Sequence, residues 1–346
     1  MKKFLALATS VMLAAGTMLM SGCGMAGSNK GDTGSGGNAA IQLKVGFGSS
    51  IDTSAGGQGL KKFKELVEQK SNGKIEVQLF GDGQLGNDKS MMEALQMGTL
   101  DMTLPTTSPV AELSPAFLAF DMPFLFTEPA QAYKVLDGAP GKDVMSTLDE
   151  KGIHGLVYFE NGFRNLTNSK HPIKNISDWE GLKIRTMQNP IMLDTFTAWG
   201  ANPVPMAFNE VFTALEQKTI DGQENPNVLI YDAGFYEAQK YLTESHHLYS
   251  PYLLMIGEKK WKSLSAEDQK LIQECAEEAR DYERQLSQKI DTEYLQKMKD
   301  KGVQVDELTP DAIQKMKELS KPIYDNYADK IGKDRFDAIL KAAADK

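Results

Sequence analysis

The sequence predicts an α/β protein of two domains, and three observations carry that reading. Stretches of strand periodicity alternate with stretches of helical periodicity from residue 41 onward. The order strand, helix, strand is the one that gives parallel sheets covered by helices. Setting aside a leader and a linker leaves about 306 residues, which suits two domains of ordinary size with sizeable cores.

Each element has a local reason. Ile41, Leu43, Val45 and Phe47 alternate with Gln42, Lys44 and Gly46, a strand period. Leu60, Phe63, Leu66 and Val67 recur at helical spacing, and Ser71-Asn72-Gly73 stops that helix. Ile75, Val77 and Leu79 alternate again; Met91 to Met97 reads as a short helix and Leu100 to Leu104 as a strand. Phe117 to Phe126 is apolar and broken by Pro123, and Ile153 to Phe159 is a buried strand. Then come a strand ending near Ile184, a helix from Met192 to Trp199 and an extended stretch from Asn202 to Met206. Asn209 is expected to cap a helix carrying Val211, Ala214 and Leu215. Ile220–Gln223 and Tyr252–Ile256 read as strands. From Ser265 to Lys301 the chain reads as one long charged helix of about 50 Å, started by Ser265-Ala-Glu-Asp and long enough to lean across both domains.

Residues 1–22 read as an export signal: Lys2 and Lys3, an apolar stretch from Phe4 to Met20, then small residues. The stretch is short for a spanning helix, which needs about 20 apolar residues. Met20-Ser21-Gly22-Cys23 resembles a bacterial lipobox, so Cys23 is expected to carry a lipid and anchor the exported protein to the outer face of the cytoplasmic membrane. Residues 23–40, rich in Gly, Ser and Asn, read as a flexible tether. With Cys23 lipidated, Cys275 is alone and is expected to be a buried helical thiol.

The chain carries 47 acidic and 38 basic side chains, a net charge of −9 that becomes −11 without Lys2 and Lys3. An acidic surface disfavours nucleic acid, whose phosphates need a basic footprint. It also gives an anionic ligand no general attraction, so individual arginines must hold one. Arg185, in Gly181-Leu-Lys-Ile-Arg185-Thr-Met-Gln-Asn-Pro190, is the first candidate, and Asn225, in Asp221-Gly-Gln-Glu-Asn225-Pro226, the second. A fixed arginine holds a carboxylate through two parallel hydrogen bonds. No nucleophile, base or metal cluster accompanies the two segments, which points to a receptor for an organic acid. The competing class is a secreted carbohydrate-acting enzyme using Glu160 with Glu224 or Asp221, since a hydrolase needs two carboxyls flanking one bond. No metal or cofactor is expected: His154, His171, His246 and His247 are not spaced to converge, and adjacent His246 and His247 face opposite sides of a strand. Gly81-Asp-Gly83 is a turn with no Lys-Ser/Thr after it, so it is not a phosphate loop.

Seven segments in order resemble the solute-binding proteins of tripartite ATP-independent periplasmic (TRAP) transporters, over residues 41 to about 310. They are Lys74-Ile-Glu-Val-Gln-Leu, Gly83-Gln-Leu-Gly86, Gly98-Thr-Leu-Asp101, Asn161-Gly-Phe-Arg164, Gly181-Leu-Lys-Ile-Arg185, the run from Gly200 to Leu215, and Asp221-Gly-Gln-Glu-Asn-Pro226. The resemblance implies a two-domain periplasmic-binding-protein-like fold with a hinge, a ligand cleft between the domains and a long C-terminal helix across both. The expected domains are 41–162 with about 251–290, and 163–250 with about 291–346. It implies that Arg185 pairs with the ligand carboxylate, that Arg164 and Asn225 face the cleft, and that the ligand passes to membrane-embedded TRAP permease subunits. Gly48 and Thr106 stand where sialic-acid binders carry an asparagine and a glutamate. The segments Tyr158 to Asn168 and His246 to Pro251 are similar to those of sugar-acid members, such as binders of uronates or diketogulonate. Glu160 is then a candidate acceptor for ligand hydroxyls, or else the partner of Arg164. C4-dicarboxylates and 2-oxo acids are the alternative ligands.

Overall fold

A computed structural model describes residues 41–345; the expected export signal, Cys23 and the expected tether lie outside the described residues. Nine strands form one sheet: β1 (Ile41–Gly46), β2 (Ile75–Phe80), β3 (Met102–Thr103), β4 (Ile153–Asn168), β5 (Lys183–Thr186), β6 (Asn202–Pro205), β7 (Gly222–Asn225), β8 (Tyr241–Gly257) and β9 (Gln304–Glu307). Their order is β2-β1-β3-β8-β4-β7-β5-β6, with β9 beside β8. Pairing is parallel within β2-β1-β3 and within β7-β5-β6, as helical crossovers require. Between these two groups run β4 and β8, antiparallel to each other from Ile153↔Gly257 to Asn168↔Tyr241.

Helix α1 (Ala55–Lys70) starts at Ser54, whose side chain accepts from the Gly57 amide, and ends where Asn72 and Gly73 turn left-handed. Its apolar stripe of Leu60, Phe63, Leu66 and Val67 packs with Leu43, Val45 and Val77 of the sheet. Helix α2 (Asp88–Met97) starts three residues earlier than its apolar residues suggest, because the Asn87 side chain caps it by accepting from the Ser90 amide. The long helix spans Ala266–Asp300, 35 residues started by the Ser265 cap, and packs along α1, β4 and the helix Asn227–Asp232. Cys275 is buried on its inner face.

Several elements differ from the sequence reading. β4 and β8 run to 16 and 17 residues, far beyond Phe159 and upstream of Tyr252. Their added halves are polar yet buried between strands, so no alternation marks them. The apolar run near Pro123 is a 3₁₀ helix, Pro115–Asp121. Asn209 sits within a 3₁₀ turn, Phe208–Glu210, and not at the cap of the helix Val211–Glu216.

Candidate functional site

A cavity of about 710 Å3, counting its open mouth, lies among the carboxyl ends of β1, β5 and β7, the start of α2 and the middle of β4. Phe47, Leu104, Met187, Phe208, Leu229 and Tyr252 give it apolar walls; Arg164, Arg185, Asn225 and Asp88 give it polar ones.

Arg185 is buried near the end of β5, held between Val204 of β6 and Gln223 of β7. Its Nε and Nη2 both donate to the Met206 carbonyl, at 3.1 and 2.8 Å. Its Nη1 is buried with no hydrogen-bond partner among the described residues. Burial pulls its pKa down to about 10, opposed by the negative charge of Glu224, so the guanidinium stays cationic at neutral pH. Just beyond it, Asn189 caps the helix Pro190–Ala198 by accepting from the Ile191 amide and donates to Asp121 at 2.8 Å and to the Ser108 carbonyl at 3.1 Å. That side chain fixes the chain leaving β5. Burial pushes the Asp121 carboxyl up to about 7.

Arg164 is also buried and lines the same cavity. Its Nε and Nη2 form a fork on the Glu224 carboxylate, and Nη2 also donates to Asn225 Oδ1 at 3.0 Å. Its Nη1, like that of Arg185, is a buried donor with no partner among the described residues. Burial works against the Glu224 charge, but Arg164 and His247 more than offset it and hold the carboxyl below its ordinary range. Burial lowers the His247 pKa despite Glu224 at 3.3 Å. Asn225 is fixed from both sides, accepting from Arg164 and donating to Gln223 Oε1 at 2.5 Å.

Glu160 does not join this group. A β-bulge between Glu160 and Gly162 inserts one residue into the alternation of β4, so positions 160 and 164 face opposite sides of the sheet. Glu160 instead accepts hydrogen bonds from Tyr133 and Tyr249, while its backbone amide donates to Glu283 of the long helix. It is neither a wall of the cavity nor the partner of Arg164, which is Glu224. The Glu160–Glu224 pairing that a hydrolase would use is therefore split across the sheet. Trp199 is core, bonded to the Met316 carbonyl, whereas Phe208 lines the cavity.

Asp88, the first residue of α2, is the residue that sequence reasoning missed. It is half-buried in the cavity wall, and removal from water pushes its carboxyl up to about 6 against the pull of Arg185. Gly48 and Thr106 line the same wall, and a Cβ on Gly48 would touch Asp88 Oδ1 at 3.4 Å. The signal was the Gly86-Asn-Asp88 step into a helix, where an acidic residue is ordinarily read as a helix-end charge.

Two buried guanidinium groups in a largely apolar wall give this cavity the chemistry to hold an anion. Comparison with known proteins agrees. The model of bacterial extracellular solute-binding proteins, family 7, matches residues 49–330. The chain is similar to the 2,3-diketo-L-gulonate-binding periplasmic protein YiaO of Escherichia coli, 41% identical over 77% of this chain and 81% of that one. It is similar in structure to the sugar acid binding protein DctPAm of Advenella mimigardefordensis in complex with galactonate, with a TM-score of 0.86 and 40% identity over 88% of this chain and 98% of that one. A TRAP periplasmic solute binding protein of Sulfurospirillum deleyianum with bound succinate superposes with a TM-score of 0.83, at 32% identity over 88% of this chain and all of that one (100%). The α/β fold, the order of the motifs and the arginine-lined cavity thus have one common explanation: the chain belongs to the DctP family of bacterial extracellular solute-binding proteins, non-enzymatic TRAP receptors for organic acids.

Proposed function

We propose that this protein captures a sugar acid, an aldonate, uronate or diketogulonate, and delivers it to a TRAP permease from a lipid anchor at Cys23. The observation that carries the reading is a difference between the two arginines. Both keep a buried Nη1 unpaired, but Arg164 has its charge balanced by a fork on Glu224, whereas the other donors of Arg185 rest on a neutral carbonyl. An unpaired buried guanidinium donor is costly until an acceptor arrives. A ligand carboxylate on Arg185, with Arg164 Nη1 and Asn225 alongside, supplies it.

Asp88 favours a polyol acid over a dicarboxylate. Its carboxylate accepts hydroxyl hydrogen bonds but repels a second ligand carboxylate across the same cavity. The succinate complex of a similar protein keeps a C4-dicarboxylate as the second reading. Thermal-shift titration against galactonate, galacturonate, 2,3-diketo-L-gulonate, succinate and 2-oxo acids decides between them, because a ligand raises the melting point by mass action. The expected order places a sugar acid first; succinate as the tightest ligand replaces this reading with the second.

A further inference from the structure

We infer that Asp149, His154 and Glu258 form a second binding site, for a divalent transition-metal ion of the zinc class, remote from the acid cavity. One ligand atom of each residue lies within 4.8 Å of those of the other two. His154 Nδ1 and Asp149 Oδ1 are 3.6 Å apart. Two donors each about 2.0–2.2 Å from a tetrahedral zinc are separated by nearly that distance, about 3.3–3.6 Å. An imidazole and two carboxylates are a borderline donor set that suits zinc, with the fourth position left to water.

The surroundings orient these donors. His154 stacks flat on Trp261, with centroids 4.5 Å apart and planes 12° apart, which fixes the imidazole ring. Lys262 holds Oε1 of Glu258 at 2.8 Å, while Oε2 is buried with no hydrogen-bond partner among the described residues. A buried carboxylate oxygen without a donor is uncommon, and a cation beside it satisfies it.

Three elements meet here. Asp149 begins the turn before β4, His154 is the second residue of β4, and Glu258 follows β8, whose last residue pairs with Ile153. A metal ion therefore clips the turn and the ends of both long strands together. Arg164 lies ten residues further along β4, about 33 Å of extended chain, so the site is separate from the acid cavity. Sequence spacing hides it, because His154 has one partner five residues before it and the other 104 residues after it.

Zinc titration of the purified, chelator-stripped protein by calorimetry tests the site, with melting curves and tryptophan fluorescence read alongside. The expected result is one saturable zinc ion, a higher melting point and a change in Trp261 emission. His154→Ala and Glu258→Gln should each weaken zinc at least about tenfold, since even outer-shell partners of a metal ligand carry that much. Neither change should alter affinity for the organic acid. Calcium, which needs six or more oxygen donors, should bind far more weakly. Absence of saturable zinc binding, unchanged affinity in His154→Ala, loss of zinc in Asp88→Asn instead, or calcium binding as tightly as zinc would each overturn the assignment.

Discussion

At the residue scale, Arg185, the proposed carboxylate clamp, is already held in place by its own chain. Two of its nitrogens rest on the Met206 carbonyl, so a carboxylate bound by the third, as proposed, would cost little side-chain entropy. Truncating one member of a buried, hydrogen-bonded charge pair costs roughly 2–5 kcal/mol, or about 30- to 3,000-fold in affinity. Arg185→Ala should lose that much with its fold intact, and Arg185→Lys should fall between it and the wild type because it keeps charge without the planar fork. Calorimetry with the cognate acid, paired with a melting curve, checks both; wild-type affinity in folded Arg185→Ala would move the carboxylate to Arg164. Asp88→Asn should narrow the gap between sugar acids and succinate by removing a negative charge from the cavity wall. Competition titration reads that ratio, and an unchanged ratio removes Asp88 from the account of specificity. The sequence singled out Arg185, Arg164 and Asn225, which all line the cavity, because each stands in a short motif beside a strand. It hid Asp88 behind an ordinary helix start and misplaced Glu160, since a bulge that reverses the alternation leaves no mark in residue type.

At the element scale, the long helix and β4 are joined by buried charge. Arg284 forks onto Asp137 at 2.6 and 3.0 Å, donates to the Tyr158 carbonyl at 2.8 Å and stacks on Tyr133. Beside it burial pushes Glu160 up to about 8, with Arg284 opposing, and raises Glu283 well above the ordinary carboxylate range. Both carboxyls hold protons in the folded state that the unfolded chain releases above about pH 4.5. Their contribution is therefore fully present below that pH, and that of Glu160 is lost as pH rises through about 8. Glu160→Gln keeps the shape and removes one titration. Its melting point should match the wild type near pH 5 and exceed it by about 2 °C or more at pH 8.5, where a gain of 1 kcal/mol is worth some 2–4 °C. Melting curves across that range test this, and equal alkaline losses in both proteins would rule it out. The strands and helices with clean periodicity, β1, α1, β2 and the long helix, were readable because one face of each meets a core. The polar halves of β4 and β8 were not, because there the burial comes from neighbouring strands and from buried ion pairs such as Arg164 with Glu224.

At the scale of the whole molecule, we propose that the protein is held at the membrane through Cys23 and closes around its ligand. Cys23→Ser should release the exported protein or leave its leader uncut; normal processing with unchanged membrane retention would remove the lipid anchor from the proposal. The shape change rests on where the chain would pass between lobes. The expected crossings, after residues 162 and 250, fall on directly paired positions, Gly162 and Ser250, beside the bulge in β4, and Gly162 has the positive φ of 112° that glycine tolerates. A bend there moves both strands together. The third expected crossing falls near Ile290 of the long helix, which packs in one small cluster with Ala55 from the first expected lobe and Val228 from the second. Hinges of this kind absorb a rotation in a few residues while the layers on either side stay rigid. A ligand that touched Arg185 and Asn225 from one side and Asp88 from the other would favour a closed arrangement over one in which the two sets of contacts are apart. Small-angle scattering should therefore give a smaller radius of gyration with saturating ligand than without, and Arg185→Ala should keep the larger value at the same ligand concentration. Identical profiles for the free and saturated wild type would mean that the cavity is fixed and that the two long strands brace the molecule without hinging it.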